Sequence, residues 1–414
     1  MKKIPVIILI LFLAVVVRFY NFENRITFGP EQAISLLVSA DYINEKFSLL
    51  GLPSTQRTTS FGHIIYYPAV FNYSLIPLLL ITNYNALIIT GFFALLNILT
   101  GLLIYFLAKK ISNEKTALFS SIIFLFSDYM IHHSLFIWSV NYLPLLSVII
   151  FFLIARAYQR KPVKLTALWI GLLAGLSFGV EYIYLFSGML IFSLTVHFAK
   201  NRLISSCLFL AGAALSILPT IIFDLTHDFY HFKTLWRYLL DTMATPGQSK
   251  ITYDHFLHFW PLLAIIGGAG LYIVSKKSTI TAWILLLIYI TVNLASPKVS
   301  FQNPIGMYKD LNYPVFKSAA QSIASNSPEN FNVVTTFDFD SRAHPLRYLL
   351  KYNHNLTPQG VEDYPNSESL YILTTPNYQV LTTSLWEISS FRPDKTETLN
   401  NLTHFSVIKL THTE

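Results

Sequence analysis

Long apolar stretches separated by short basic turns make up the first 296 residues of the chain. The first run, Ile4–Val17, follows Met1-Lys2-Lys3 and leads into Arg18-Phe19-Tyr20-Asn21 with no small-residue cleavage site, so it reads as an uncleaved anchor. Further runs long enough to span begin near Ala86, Thr116, Trp138, Leu165, Tyr184, Leu203, Phe259 and Ile280, a span needing about 20 mostly apolar residues. One more stretch, residues 63–82, is broken by Pro68, Asn72, Ser74 and Pro77. It is expected to form a helix lying at, or dipping into, the interface.

The positive-inside rule fixes the count. Without residues 63–82, nine spans place Lys109-Lys110…Lys115, Arg156…Arg160-Lys161…Lys164, Lys200…Arg202 and Lys276-Lys277 on one side with the N-terminus, the cytoplasmic side. Residues 18–84, 224–258 and everything after about Ser296 then lie outside, giving a multi-pass protein of the plasma membrane. From Pro297 the chain turns polar. "NFNVVTTFDFD" (330–340), "SLYILTT" (369–375) and "FSVIKLT" (405–411) read as strands and "AHPLRYLLKY" (343–352) as a helix. The expected division is a transmembrane part, 1–296, and an external α/β domain, 297–414.

Composition agrees. Of 414 residues 53% are hydrophobic and 12% charged, with mean hydropathy +0.49, against about 25% charged in soluble domains. The net charge of +7 sits in the turns and does not point to nucleic acid. The single cysteine, Cys207, rules out an internal disulfide.

Acids, histidines and aromatics gather on the outer side. "FGPEQAISLL" (28–37) puts Glu31 just after Gly29-Pro30, at the start of an amphipathic helix. There it either complements the helix N-terminus or acts as a general base on a hydroxyl. "FDLTHDFYHFKTLWRYLLD" (223–241) groups Asp224, His227, Asp228, His231, Lys233 and Arg237 at a membrane boundary. Lys233 and Arg237 share a helix face that could hold a phosphate, or they could be snorkelling cations. Asp224, His227 and Asp228 could also hold a divalent cation, though no zinc-type spacing is present. "SDYMIHHSLFIWSVN" (127–141) contributes Asp128, His132, His133, Trp138 and Asn141; "SFGVEY" contributes Glu181; "FGHIIYYP" contributes His63, Tyr66 and Tyr67. In "FDFDSR", Asp338, Asp340 and Arg342 follow a strand and read as loop polars.

This order of parts resembles the GT-C glycosyltransferases of the dolichyl-phosphate-mannose–protein mannosyltransferase type (glycosyltransferase family 39 and its bacterial relatives). The resemblance rests on "RFYNFENRITFGPEQA" (18–33), "YYPAVFNYSLIPLLL" (66–80), "LFIWSVNYLPLLS" (135–147) and "LPTIIFDLTHDFYHFKTLWRYL" (218–239). It implies a helical GT-C membrane fold and transfer of a sugar from a polyprenyl-phosphate donor to a lipid, glycan or protein acceptor. The family's first external loop often carries Asp-Glu. Here the pair reads Pro30-Glu31, which makes Glu31 the implied base and Asp128 or Asp224 the second acid. Lys233, Arg237 and Arg57 would hold the donor phosphate, with His63, Tyr66, Asn141, Glu181 and His227 lining the substrate site. The scheme requires no general acid and fixes no cofactor, with a divalent cation left as an open alternative. A transporter of polyprenyl-linked glycans and an inactive membrane subunit are the competing readings.

Overall fold

The structure is a computed structural model that describes residues 4–159, 165–244, 253–326 and 329–412; the side chains of 4–5, 54–58 and 242–244 fall outside that description. Helix α1 (Ile4–Phe19) ends where α2 (Phe22–Arg25) turns back on it. The Arg25 guanidinium donates to the carbonyls of Val17 (2.7 Å) and Tyr20 (2.9 Å), groups a helix end leaves without partners, and to that of Ser300 (2.5 Å). Helix α3 (Pro30–Asn44) follows, with Gly29 before it donating its N–H to the Gln32 side chain at 3.0 Å.

Strands β1 (Leu50–Thr58) and β2 (Ile64–Pro68) form an antiparallel hairpin ahead of α4 (Val70–Ile81). The stretch 63–82 is therefore not one helix. Ile64-Ile65-Tyr66-Tyr67 is β-branched and aromatic, which favours a strand, and it buries Ile65. Pro68 also disfavours helical geometry at Tyr67, so the helix waits until Val70.

The bundle comprises α5 (Ala86–Ile111), α6 (Glu114–Leu125), the short α7 (Asp128–His133), α8 (Leu143–Tyr158), α9 (Thr166–Val180), α10 (Tyr184–His197), α11 (Arg202–Ser216), α12 (Leu218–Thr226), α13 (Tyr230–Ala244), α14 (Trp260–Lys277) and α15 (Thr279–Leu294). Among the described residues three helical stretches, Ala86–Ile111, Ser139–Tyr158 and Tyr253–Lys277, are long and apolar enough to cross a membrane. The pair α11–α12, bent by 76°, makes a fourth if counted as one broken span. The runs expected at the anchor and near Leu165, Tyr184 and Ile280 form apolar helices of 10–17 residues. The run near Thr116 is α6, only 12 residues long, with Ser120 and Ser121 buried in the protein.

Glycines set the closest packing. A Cβ on Gly171 would stand 2.0 Å from the Phe209 carbonyl oxygen, and one on Gly212 2.2 Å from that of Leu168, so α9 and α11 meet backbone to backbone. Gly268 of α14 abuts Ser120 of α6 in the same way.

After α16 (Tyr313–Ala324) come β3 (Phe331–Thr335), α17 (His344–His354), β4 (Ser369–Thr374), α18 (Trp386–Ser389), β5 (Lys395–Leu402) and β6 (Phe405–Thr411). The sheet order is β3-β4-β6-β5, with β3 and β4 parallel and the other pairs antiparallel. Phe331, Val333, Tyr371, Leu373, Phe405 and Val407 join the core that continues into the bundle. Helix α17 rests on α3: Lys351 Nζ lies 3.0 Å from both Asp41 and Glu45, and Tyr352 stacks on Tyr84 at 4.5 Å.

Candidate functional site

Arg18, at the end of α1, donates to Asn97 Oδ1 in α5 (2.8 Å) and to the Leu125 carbonyl closing α6 (3.0 Å). The end of α1 and the end of α6 therefore meet α5 at Asn97, about three turns into that helix.

Glu31 occupies the first turn of α3 and is exposed. The approach to that turn is pinned to the loop after α7, because Thr27 N–H donates to the Leu135 carbonyl at 3.1 Å. This loop carries Phe136 and Trp138 into the 3₁₀ turn Ser139–Tyr142 that holds Asn141.

Below it runs a chain of polar side chains that the sequence did not reveal as a unit. His133, buried, reaches Asn141 Oδ1 through Nδ1 (3.0 Å) and Asp254 Oδ1 through Nε2 (3.0 Å). The Tyr129 hydroxyl donates to the same Asp254 oxygen. The Asn141 amide nitrogen donates to the Phe136 carbonyl at 2.8 Å, which turns its oxygen toward His133. Both ring nitrogens of His133 thus face acceptors. Trp138 stacks on His133 at 5.8 Å and meets His255 edge-on at 6.5 Å. His255 Nδ1 in turn lies 2.7 Å from Glu181 Oε2. The neighbours Asp254 and His255 therefore reach different partners and join the two polar groups through the chain. Lys298 Nζ caps the Tyr129 ring at 4.4 Å. Burial among rings, together with the nearby His133, pushes His132 down to about 4, so it is neutral at neutral pH.

The other expected residues fall in three places. Asp128 accepts from Tyr129 N–H (2.6 Å) and Ser296 Oγ (2.6 Å), while its own N–H donates to Asn293 (2.8 Å); it ties α7 to the end of α15. Asp224 is buried and accepts from the N–H groups of His231 (2.8 Å) and Phe232 (3.1 Å), capping α13. The Tyr66 carbonyl accepts from the Tyr182 hydroxyl (2.8 Å), which also pairs with His231 at 2.6 Å. Burial lowers the pKa of His231.

Arg237 pairs with Asp241 (2.9 Å), donates to Ser60 Oγ (3.1 Å) and covers the Phe61 ring, fastening the hairpin tip to α13. Lys233 is exposed, with no ion pair among the described residues. His63 stacks on Tyr230 at 5.5 Å. His227 stacks on Phe223 and bonds to its carbonyl (3.0 Å), away from the polar chain. The side chain of Arg57 lies outside the described residues, as do Arg160, Lys161 and Lys164. No group of three or more His, Cys, Asp or Glu side chains converges on a metal position among the described residues, and Asp224, His227 and Asp228 form none.

No protein-family description and no curated protein matches the chain. Solved structures do. ArnT from Cupriavidus metallidurans bound to undecaprenyl phosphate is similar over 99% of this chain and 98% of its own, at 11% identity and TM-score 0.60. Its apo form is similar over the same shares at 12% identity and TM-score 0.52. The apo oligosaccharyltransferase of Archaeoglobus fulgidus is similar over 90% of this chain and 69% of its own, at 9% identity and TM-score 0.50. The likeness is one of fold: the chain has the GT-C fold.

Proposed function

We propose that this protein is a multi-pass membrane glycosyltransferase, with nine spans and both the polar lining and the C-terminal segment facing outward. It moves a sugar from a polyprenyl-phosphate donor to an acceptor hydroxyl. The observation that carries this reading is the likeness in fold, over nearly the whole of both chains, to a protein crystallised with undecaprenyl phosphate.

The chemistry follows from the groups on that outward side. Glu31 is the base. As the acceptor oxygen bonds to the anomeric carbon, the hydroxyl proton passes to the Glu31 carboxylate, and the bond from that carbon to the phosphate oxygen breaks. Polyprenyl phosphate leaves with the electron pair and the anomeric configuration inverts. Phosphate is a good leaving group, so cations that steady its growing charge suffice. Lys233, Arg237 and Arg57 are the proposed set. Asp128 and Asp224, saturated by backbone and hydroxyl donors, act as positioning residues that fix α7 and α13. The Tyr129–Asp254–His133–Asn141 chain and the Glu181–His255 pair form a polar wall for sugar hydroxyls.

Membranes bearing the protein, supplied with radiolabelled polyprenyl-phosphate sugars, test this. Transfer should fall at least about 100-fold in Glu31→Gln, the usual scale for losing a general base. Retention of transfer within about twofold would remove Glu31 from the role. Absence of transfer from every donor in the intact protein would favour a transporter or an inactive subunit.

A further inference from the structure

Only one face of the C-terminal sheet looks toward the membrane helices. On the other, Val334, Leu370, Ile372 and Leu410 build a separate small core with Tyr364, Val380, Ile388 and Phe391. Over this core, α18 and the chain that follows it leave a hollow of about 670 Å³ beside the end of β6. That volume lies within the usual range for small-molecule sites. The sheet separates it from the polar lining described above.

Its walls have an unusual combination of groups. Trp386 is 48% exposed, and its ring stands edge-on to the buried Tyr364 at 5.7 Å and 87°. The indole is thus held at a fixed tilt and still offers surface to the hollow. Arg392 follows α18 in the left-handed region, at φ 55°, with its N–H on the Ile388 carbonyl at 3.2 Å. That helix-ending position usually falls to glycine, because a side chain strains the left-handed backbone. The exposed guanidinium is set at the wall of the hollow despite that strain. Asp394 adds a carboxylate, Ser389 a hydroxyl, and His412 an imidazole seated against Phe391 at 4.4 Å.

The charges of Arg392 and Asp394 cancel, which disfavours a strongly anionic or cationic occupant. A half-exposed indole beside a fork of donors, a carboxylate and a hydroxyl suits a molecule with one apolar C–H face and a rim of hydroxyls. We infer that this hollow binds a neutral saccharide. The site is remote from the proposed transfer chemistry and stands or falls independently of it. On the outward-facing segment it would hold a part of a glycan distant from the reacting hydroxyl.

Saturation-transfer NMR on the full chain in lipid nanodiscs reads this directly, with maltohexaose, cellohexaose and mannohexaose offered one at a time. At least one should receive saturation, and its affinity should fall tenfold or more in both Trp386→Ala and Asp394→Asn. The second substitution is nearly isosteric and guards against misfolding of the first. Glu31→Gln should bind the sugar as the unaltered protein does. No saturation of any of the three, or unchanged binding in both hollow variants, would overturn the assignment.

Discussion

His132 is held neutral by its surroundings, with a pKa near 4 in place of the ordinary value of about 6.5. The folded protein therefore binds fewer protons than the unfolded chain between those values, and stability falls as pH drops from about 6.5 through about 4. In detergent, the melting temperature of the unaltered protein should decline across that window more steeply than that of His132→Asn. Parallel curves would show that His132 contributes nothing to the slope. At this scale the sequence was partly legible. His132, His133, Trp138 and Asn141 stood out together as a short polar run on an outward turn. Asp254, their partner across more than a hundred residues, lay in "YDHFLHF" with no local pattern to mark it. Asp128 and Asp224 were legible as acids at boundaries. That both are consumed in fixing helix ends depends on the backbone donors brought to them, which no residue spacing announces.

Among the elements, the helices that pack most closely do so through glycine. Gly171, Gly175 and Gly179 repeat every fourth residue along α9, and Gly171 and Gly175 lie against α11. Gly171→Leu would drive a side chain into the Phe209 carbonyl. It should lower the melting temperature by several degrees and reduce the yield of folded protein in mild detergent. The nearby exposed substitution Leu210→Ala should do neither. Helix and strand identity was legible where periodicity was strong: α5, α14, α17, β4 and β6 fall where the apolar patterns indicated, while β3 stops at Thr335, short of the strand expected over 330–340. Two elements were not. β2 was hidden inside an apolar stretch that also contains α4. β5, Lys395–Leu402, is a polar edge strand whose pairing with β6 supplies the structure its own residues do not signal.

For the whole molecule, the C-terminal segment bears directly on the helix that opens with Glu31. Lys351 bridges α17 to Asp41 and Glu45 of α3. Burial works against its charge, but the two carboxylates outweigh it and hold its pKa above the ordinary lysine range. That contribution is complete at every pH below about 10 and is lost only in strong alkali. Lys351→Met should weaken the seat by roughly 1–2 kcal/mol and speed proteolysis of the C-terminal segment. Unchanged proteolysis would mean that the aromatic contacts of Tyr348 and Tyr352 suffice.

Sugar transfer of this kind requires one sidedness: the start of α3 must face away from the cytosol, and the turn between α5 and α6 toward it. In a Cys207→Ser background, Glu31→Cys and Asn113→Cys can each be treated on intact cells with a membrane-impermeant maleimide. The proposed topology gives labelling at position 31 and protection at position 113 until the membrane is opened. Protection at 31 with labelling at 113 would contradict it.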